Sequence, residues 1–404
     1  MTLRIAPAPN YLMLALMLAA MLLVAGCTRA APSPSLTAAA ITDRDLELRL
    51  TAFAADSMMG REAGTYWNQE ASAYVAQQFR RLGLTPAGDS GSFFQTVPTI
   101  NVGDRSKRRG LARNVIAVVP GSDPALRGEY VSITAHNDHI GFSRRVVDHD
   151  SLRAFNAVIR PLGADSRSRE PSDAEWVQIH TILDSLRKLN PPRADSIYNG
   201  ADDDGSGTIA LIELAEAFMK GASKSRRSIL FVSHTGEERG LLGSEWYTDH
   251  PTVPLDSIVA EIDLDMIGRG ASTDIAGGGP TYLEVVGLRR ISKEFGDWFE
   301  AVNARERVPF VFNYEYDAPG QPEQYYCRAD HYNYARYGIP SVSLSRGAHR
   351  DYHQVTDEAQ YIDYPDYARL TQLVFDAAMF VANAPHAPVR EVPKPQNPHV
   401  PCRQ

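Results

Sequence analysis

The chain has 404 residues, 44% of them apolar and 22% charged, and a formal net charge of -8. That length and apolar content can fill one large core or two ordinary ones, and Asp and Glu exceed Lys and Arg too slightly for a disordered polyelectrolyte. The acidic balance, with no run of Lys or Arg to follow a phosphate backbone, excludes nucleic acid as a natural partner.

Near the start, Arg4 precedes the apolar run YLMLALMLAAMLLVAG, which stops at Cys27. Its length suits the apolar core of a secretory signal better than a membrane span. Val24-Ala25-Gly26-Cys27 resembles a bacterial lipobox, so residues 1–26 are expected to be a lipoprotein signal peptide and Cys27 the lipidated first residue of the mature chain. An ordinary signal peptide or an uncleaved anchor is the alternative. Thr28, not Asp, follows that cysteine, which in such lipoproteins implies a cell-envelope location, lipid-anchored in the outer membrane and facing the periplasm. Residues 27–41, rich in small side chains, read as a flexible tether. Only Cys327 and Cys402 remain as thiols, so a thiolate metal site is out of reach. An oxidising compartment permits their pairing, and sequence spacing does not decide it.

From residue 42 short β-branched runs alternate with amphipathic helical segments. WNQEASAYVAQQFRRLG reads as a helix stopped by Gly83, and RNVIAVVPG and EYVSITAH read as strands. Residues 142–198 break the rhythm. Polar, charged and largely helical in pattern, they are too long for a slack connection and are expected to form a lid inserted in the domain. SGTIALIELAEAFMKG sets Leu211, Leu214, Ala215 and Phe218 on one helical face, with Gly221 as a stop. SILFVSH and SIVAEIDLDM are strands, the first apolar almost throughout, as suits a strand covered on both faces. YLEVVG and SVSLS follow, and YPDYARLTQLVFDAAMFVANA closes the series as a helix. Residues 42–384 are therefore expected to be one α/β domain with helices on both faces of a sheet. The tail over 385–404 holds six prolines and favours an extended strap.

In open α/β sheets, ligands gather beyond the carboxyl ends of the strands. His136-Asn137-Asp138-His139 follow EYVSITA, and the loop NGADDDGSG at 199–207 enters a helix near Ser206. Thr235-Gly236-Glu237-Glu238 follow SILFVSH, Asp265-Met266 follow SIVAEIDL, and Asp351-Tyr352-His353 follow SVSLSRGAH. Imidazoles and carboxylates without thiols suit a hard-to-borderline divalent ion, zinc first and other transition metals after it. There are enough for two ions, a pair that needs one carboxylate as a bridge. The acidic loop could supply it. An EF-hand register fails there, because Leu211 falls where the terminal Glu belongs. Taken alone, that loop reads more simply as a turn with Ser206 as N-cap, and Glu237-Glu238 as the acidic first turn of a helix.

The ordered set H-x-D, GADDD-x-SG, GEE, LDMIG and YH-x-x-x-D, beginning after GREAGT at residues 60–65, resembles the M28 family of di-zinc peptidases, of the aminopeptidase Y type. The resemblance implies a mixed, twisted eight-stranded sheet flanked by helices on both faces, and two Zn²⁺ per chain. It implies His136 and Asp265 on one zinc, Glu238 and His353 on the other, Asp203 bridging the pair, and a cis bond from Asp203 to Asp204. Asp138 would orient His136, Asp204 would stand behind the ligands, and Asp330 would buttress the pocket or cap the following helix. The implied chemistry is hydrolysis of peptides or oligopeptides from the N-terminus, with a metal-bridging hydroxide as nucleophile and Glu237 as general base. A zinc-bound carboxylate is a poor base, so Glu238 needs Glu237 beside it. Tyr326 in YYCRADH is the candidate for steadying the oxyanion, although Ala329 replaces the serine usual in relatives and a buried structural tyrosine fits as well. His139 is expected behind the ligands or against the lid, His331 against the pocket, and His234 within the strand as a structural histidine. Two alternatives share the fold: a glutaminyl cyclase-like enzyme with one zinc, and a non-catalytic binding protein. The complete ligand set and the base count against both.

Overall fold

The computed structural model describes residues 38–404 except 102–108 and 190. The expected signal peptide, Cys27 and most of the tether lie outside the described residues. The first elements are α1 (Asp43–Phe53), α2 (Tyr66–Leu82), β1 (Thr85–Pro86), β2 (Phe94–Asn101), β3 (Arg109–Val119) and β4 (Tyr130–His136). An insertion contributes β5 (Phe142–Asp148), α3 (His149–Ile159), α4 (Asp173–Leu189) and β6 (Ala194–Ile197). Then come α5 (Gly207–Lys220), β7 (Ser228–His234), α6 (Leu242–Asp249), β8 (Ile258–Leu264), β9 (Tyr282–Val286) and α7 (Lys293–Asn303). The series ends with β10 (Val311–Asn313), α8 (His331–Ala335), β11 (Ser341–Ser345) and α9 (Tyr364–Asn383).

Among the described residues, nine strands form the main sheet, in the order β1-β3-β7-β4-β8-β11-β9-β10, with β2 also on β3. β1 and β2 pair with successive stretches of one edge of β3, at Val118 and from Val115 onward. Nine segments thus fill the eight places expected. β7, β4, β8 and β11 run parallel in the centre, while β3 and β9 are antiparallel to their central neighbours. Parallel strands cannot be joined by tight turns and need covering crossovers. Every residue of β7 is accordingly buried.

The principal core joins Leu46 and Phe53 of α1, Val75 and Phe79 of α2, Leu211 and Phe218 of α5 and Val374 of α9 to Ile133, Phe231 and Ile262 of the sheet. Phe231 receives Phe79 and Phe218 at ring-centroid distances of 5.9 and 6.2 Å. Burying such a ring stabilises the fold by about 1.5–3 kcal/mol. The opposite face is thinner, with Leu230 and Val232 of β7 covered by Tyr247 of α6 and Tyr334 of α8. Local signals agree with the packing, since the Thr65 hydroxyl accepts from the Asn68 N–H at the start of α2 and Gly83 ends it at φ 84°.

The insertion is helical as expected, but a two-stranded antiparallel ribbon, β5-β6, forms its base. α3 and α4 close a separate small core around Ala154, Ile159 and Ile179. Cys327 and Cys402 are joined, with Cα atoms 5.8 Å apart. The Tyr326 N–H donates to Gln404 Oε1 (3.1 Å), so the proline-rich tail is tied to the loop before α8. Among the described residues, no helix is long and apolar enough to cross a membrane.

Candidate metal centre

Because β4, β7 and β8 are parallel and in register, with His136 opposite His234, their carboxyl ends open on one edge of the sheet. His136 closes β4, Glu237 and Glu238 follow β7, and Asp265 follows β8. Asp203 arrives on the loop before α5, and His353 on the loop after β11. The Asp203–Asp204 peptide is cis, matching the expectation.

The donors fall into two groups that share Asp203. His136, Asp203 and Asp265 form one; His139, Asp203, Glu238 and His353 form the other. His136 Nε2 lies 3.3 Å from Asp203 Oδ1 and 3.9 Å from Asp265 Oδ1. His353 Nε2 lies 3.0 Å from Asp203 Oδ2 and 2.9 Å from Glu238 Oε2. His139, expected behind the ligands or against the lid, has its Nδ1 2.7 Å from Glu238 Oε1 and falls within the second group. Its ring meets that of His353 edge-on at 5.5 Å.

The turn Glu237–Arg239 is held between Gly236 (φ 74°) and Gly240 (φ 96°), both in the left-handed region. It splays the adjacent glutamates. Glu238 reaches the second group, whereas Glu237 stays on the side of the first, with Oε2 3.9 Å from His136 Nε2. Glu237 faces an open cleft together with Asp203, Asp265 and His353.

The residues behind the donors fix these positions. Asp138 Oδ1 accepts from the N–H groups of Gly236 (2.7 Å) and Glu237 (3.2 Å), so its carboxylate braces the glutamate turn. His136 Nδ1 is nearer the Asp138 carbonyl, at 3.2 Å, than that carboxylate, at 3.7 Å. Asp204 accepts from the N–H groups of His136 (3.0 Å), Gly207 (2.9 Å) and Met266 (3.3 Å) and so ties together three segments around the donor groups. Ser206 does not cap α5; its hydroxyl donates to the Asp202 carbonyl at 2.8 Å. Asp330 heads α8 without capping it and accepts from Ser244. His234 is buried in β7 against Tyr334, 3.1 Å away, in the structural role expected.

Tyr326 is a correction. It faces Arg290, whose guanidinium lies 3.8 Å from the ring centroid, while the cleft is lined by its neighbour Tyr325. The tight turn Tyr325–Cys327, tied to the tail by the disulfide, sends successive side chains to different sides.

Three supports had no role assigned from the sequence. Arg61 is fully buried and donates to the carbonyls of Asn137 (3.2 Å), Asn199 (2.5 Å) and Gly200 (2.8 Å), joining the loops that carry His136 and Asp203. Asp357 accepts from the N–H groups of Asp202 and Asp203. His349 contacts Asp202 at 3.1 Å. Arg61 and Asp357 do lie within quoted motif stretches, so position in the pattern was their one available signal.

Electrostatically the centre is a cluster of carboxylates faced by histidines: burial acts to raise Asp203, but His136 and His353 hold it well below its usual range, while Glu237 and Asp265 are raised. Burial raises the Glu237 carboxyl well above its usual range; His136 opposes this, and Glu238 and Asp265 add to it. Burial likewise raises Asp265, with His136 opposing and Asp203 adding. Burial alone would depress the His136 imidazole, yet Asp138, Asp203 and Glu237 lift it well above its ordinary value. Among the described residues, no Lys or Arg pairs with Asp203, Glu237, Glu238 or Asp265. His136 Nε2, both ring nitrogens of His139, Asp203 Oδ2 and Glu238 Oε1 are buried, and although several lie 2.7–3.3 Å from one another or from His353, none is aligned for a hydrogen bond. Buried polar atoms are rarely left orphaned, so donors of this type converging on common points fit divalent cations.

A sequence profile described as Peptidase family M28 matches residues 114–378. The chain is similar to a probable leucine aminopeptidase 2 of Aspergillus oryzae, 31% identical over 157 residues, 37% of this chain and 28% of that protein. It is also similar to a leucine aminopeptidase 1 of Emericella nidulans, 25% identical over 325 residues, 72% of this chain and 78% of that protein. The first curated relatives are matched over less than half of their own length. Among solved structures, a zinc aminopeptidase from Bacillus subtilis aligns with a TM-score of 0.54 at 14% identity, covering 84% of this chain and 95% of that one. A Zn-dependent exopeptidase from Parabacteroides distasonis aligns with a TM-score of 0.52 at 16% identity, covering 84% and 98%. These likenesses establish the mixed sheet and its helices as a shared fold. With the profile spanning most of the domain and its motif residues gathered at the strand ends, the chain belongs to peptidase family M28.

Proposed function

We propose that the protein is a di-zinc aminopeptidase that removes residues from the N-termini of peptides. The observation that carries the reading is the pair of donor groups sharing Asp203. His136, Asp203 and Asp265 would hold one ion, and Asp203, Glu238 and His353 the other, with His139 facing the second. Two zinc ions, when bound, would supply Lewis acidity at the scissile carbonyl and bring a water at the centre toward a pKa of about 7.

The chain's own groups do the rest. Glu237 faces the cleft and accepts the proton of the attacking water, then returns it to the leaving amine. Asp138 keeps Glu237 in place through the backbone of its turn. Asp203 offers one oxygen to each group, His136 on one side and His353 on the other. A single-zinc cyclase would leave the second set, His139, Glu238 and His353, without a task. The lipobox-like Cys27 supports a lipid anchor holding the domain at the cell envelope, and the insertion, whose Asp165 lines the cleft, supports a lid role.

The test is metal analysis beside a screen of amino-acid arylamides and their N-blocked counterparts. The reading requires two zincs per chain and turnover of free-amine substrates only. Full activity without divalent ions, or equal turnover of blocked substrates, would overturn it.

A further inference from the structure

Beyond the donor groups the cleft runs on along β9 and β11. β11 lies between β8, which delivers Asp265, and β9, with Leu344 opposite Leu264 and Ser345 opposite Glu284. Two strand spacings, about 10 Å, therefore separate the backbones at Asp265 and Glu284. Side chains alternate along a strand, so Glu284 and Val286 share a face with Ser343 and Ser345, and all four line the cleft that Asp203, Glu237 and Asp265 enter.

Glu284 is the unexpected member. It is 3% exposed, on a strand whose other neighbours are apolar. One oxygen accepts from the Tyr282 hydroxyl at 2.7 Å, and among the described residues no Lys or Arg forms an ion pair with the carboxyl. Burial pushes it up to about 7, with Tyr282 opposing and Glu315 adding. Arg328, at the mouth, is engaged by Asp165 of the insertion at 3.2 Å. The rest of the wall is mixed: Ala329, Ala348, Ser343 and Ser345 are small, and Met266, Tyr352 and Tyr325 are large. A buried carboxylate without a counter-ion is costly, and one at the end of a substrate cleft is a counter-ion awaiting its partner. Extended lysine and arginine side chains reach about 6–7 Å from Cα, which suits the span from the donor groups to Glu284. A leucine side chain there would bury the carboxylate with nothing to pair it.

We propose that this recess receives the first side chain of the substrate and that Glu284 selects lysine or arginine at the peptide N-terminus. The assignment rests on the aminopeptidase reading and narrows it to a substrate class. Tyr325, whose ring already meets the Arg328 guanidinium 5.1 Å from its centroid, forms a side of the recess.

The experiment compares kcat/KM for Lys-, Arg- and Leu-arylamides in the zinc-loaded protein and in Glu284→Gln and Glu284→Leu. A ratio within one preparation is insensitive to loss of folded protein. Expected is a Lys/Leu ratio of at least about ten in the wild type, falling at least about tenfold in Glu284→Gln and inverting in Glu284→Leu. A leucine preference in the wild type, or a ratio indifferent to both substitutions, overturns the assignment while leaving aminopeptidase activity intact. If no arylamide is cleaved, the aminopeptidase reading falls, and calorimetry with L-argininamide against L-leucinamide decides the pocket. Tighter argininamide binding that Glu284→Gln abolishes supports it, and equal binding overturns it.

Discussion

Glu237 and Glu238 are joined by one peptide bond, yet Glu238 contacts His139 and His353 while Glu237 points into the cleft. Glu237→Gln keeps the shape and removes the basicity. It should retain both zincs by elemental analysis and lower kcat by about 10²–10⁴-fold; near-normal turnover would reject Glu237 as the base. His139 sits close enough to Glu238 to act as a further donor or to steer that carboxylate. His139→Ala should weaken binding of the second zinc by about 10–100-fold in a chelator competition, and unchanged binding of both ions would return it to a packing role. The sequence placed His139 beyond a strand end but not the direction of its ring, which depends on where the glutamate turn folds back. Tyr326 failed for a related reason, since a tight turn reassigns sides between neighbours and periodicity does not register it.

At the level of elements, the central strands were legible because their composition is dictated by burial on both faces. SILFVSH and SVSLS match β7 and β11 residue for residue. β2 was hidden by Pro98, which sits where its register with β3 shifts between Val97 and Ile100. β5, FSRRVVD, escaped because it pairs with β6 alone among the described strands and is largely exposed, so no alternation marks it. Pairing of the two cysteines depended on how the tail returns across the domain, a long-range fact no local pattern holds. That link closes a loop with a sequence separation of 75. Cys402→Ser should therefore lower stability by about 2–4 kcal/mol in denaturant titration and expose residues 385–404 to limited proteolysis. A variant as protease-resistant as the wild type would show that the tail's other bonds, among them those of Gln404 and of the Val400 carbonyl, hold it without the disulfide.

For the whole molecule, the motif order and the family resemblance located the donors and their division into two groups before any geometry; only the place of His139 in the second group required the fold. Cations that bind the folded state alone stabilise it by mass action. Treatment with a strong chelator should abolish activity and lower the melting temperature, and added zinc should restore both; an unchanged melting temperature would mean that the donors are held equally well without the ions. The donors are scattered from residue 136 to residue 353. An emerging polypeptide still short of its last histidine can therefore assemble only part of the ligand shell, and zinc acquisition becomes a late event that certifies a finished domain rather than guiding its early collapse.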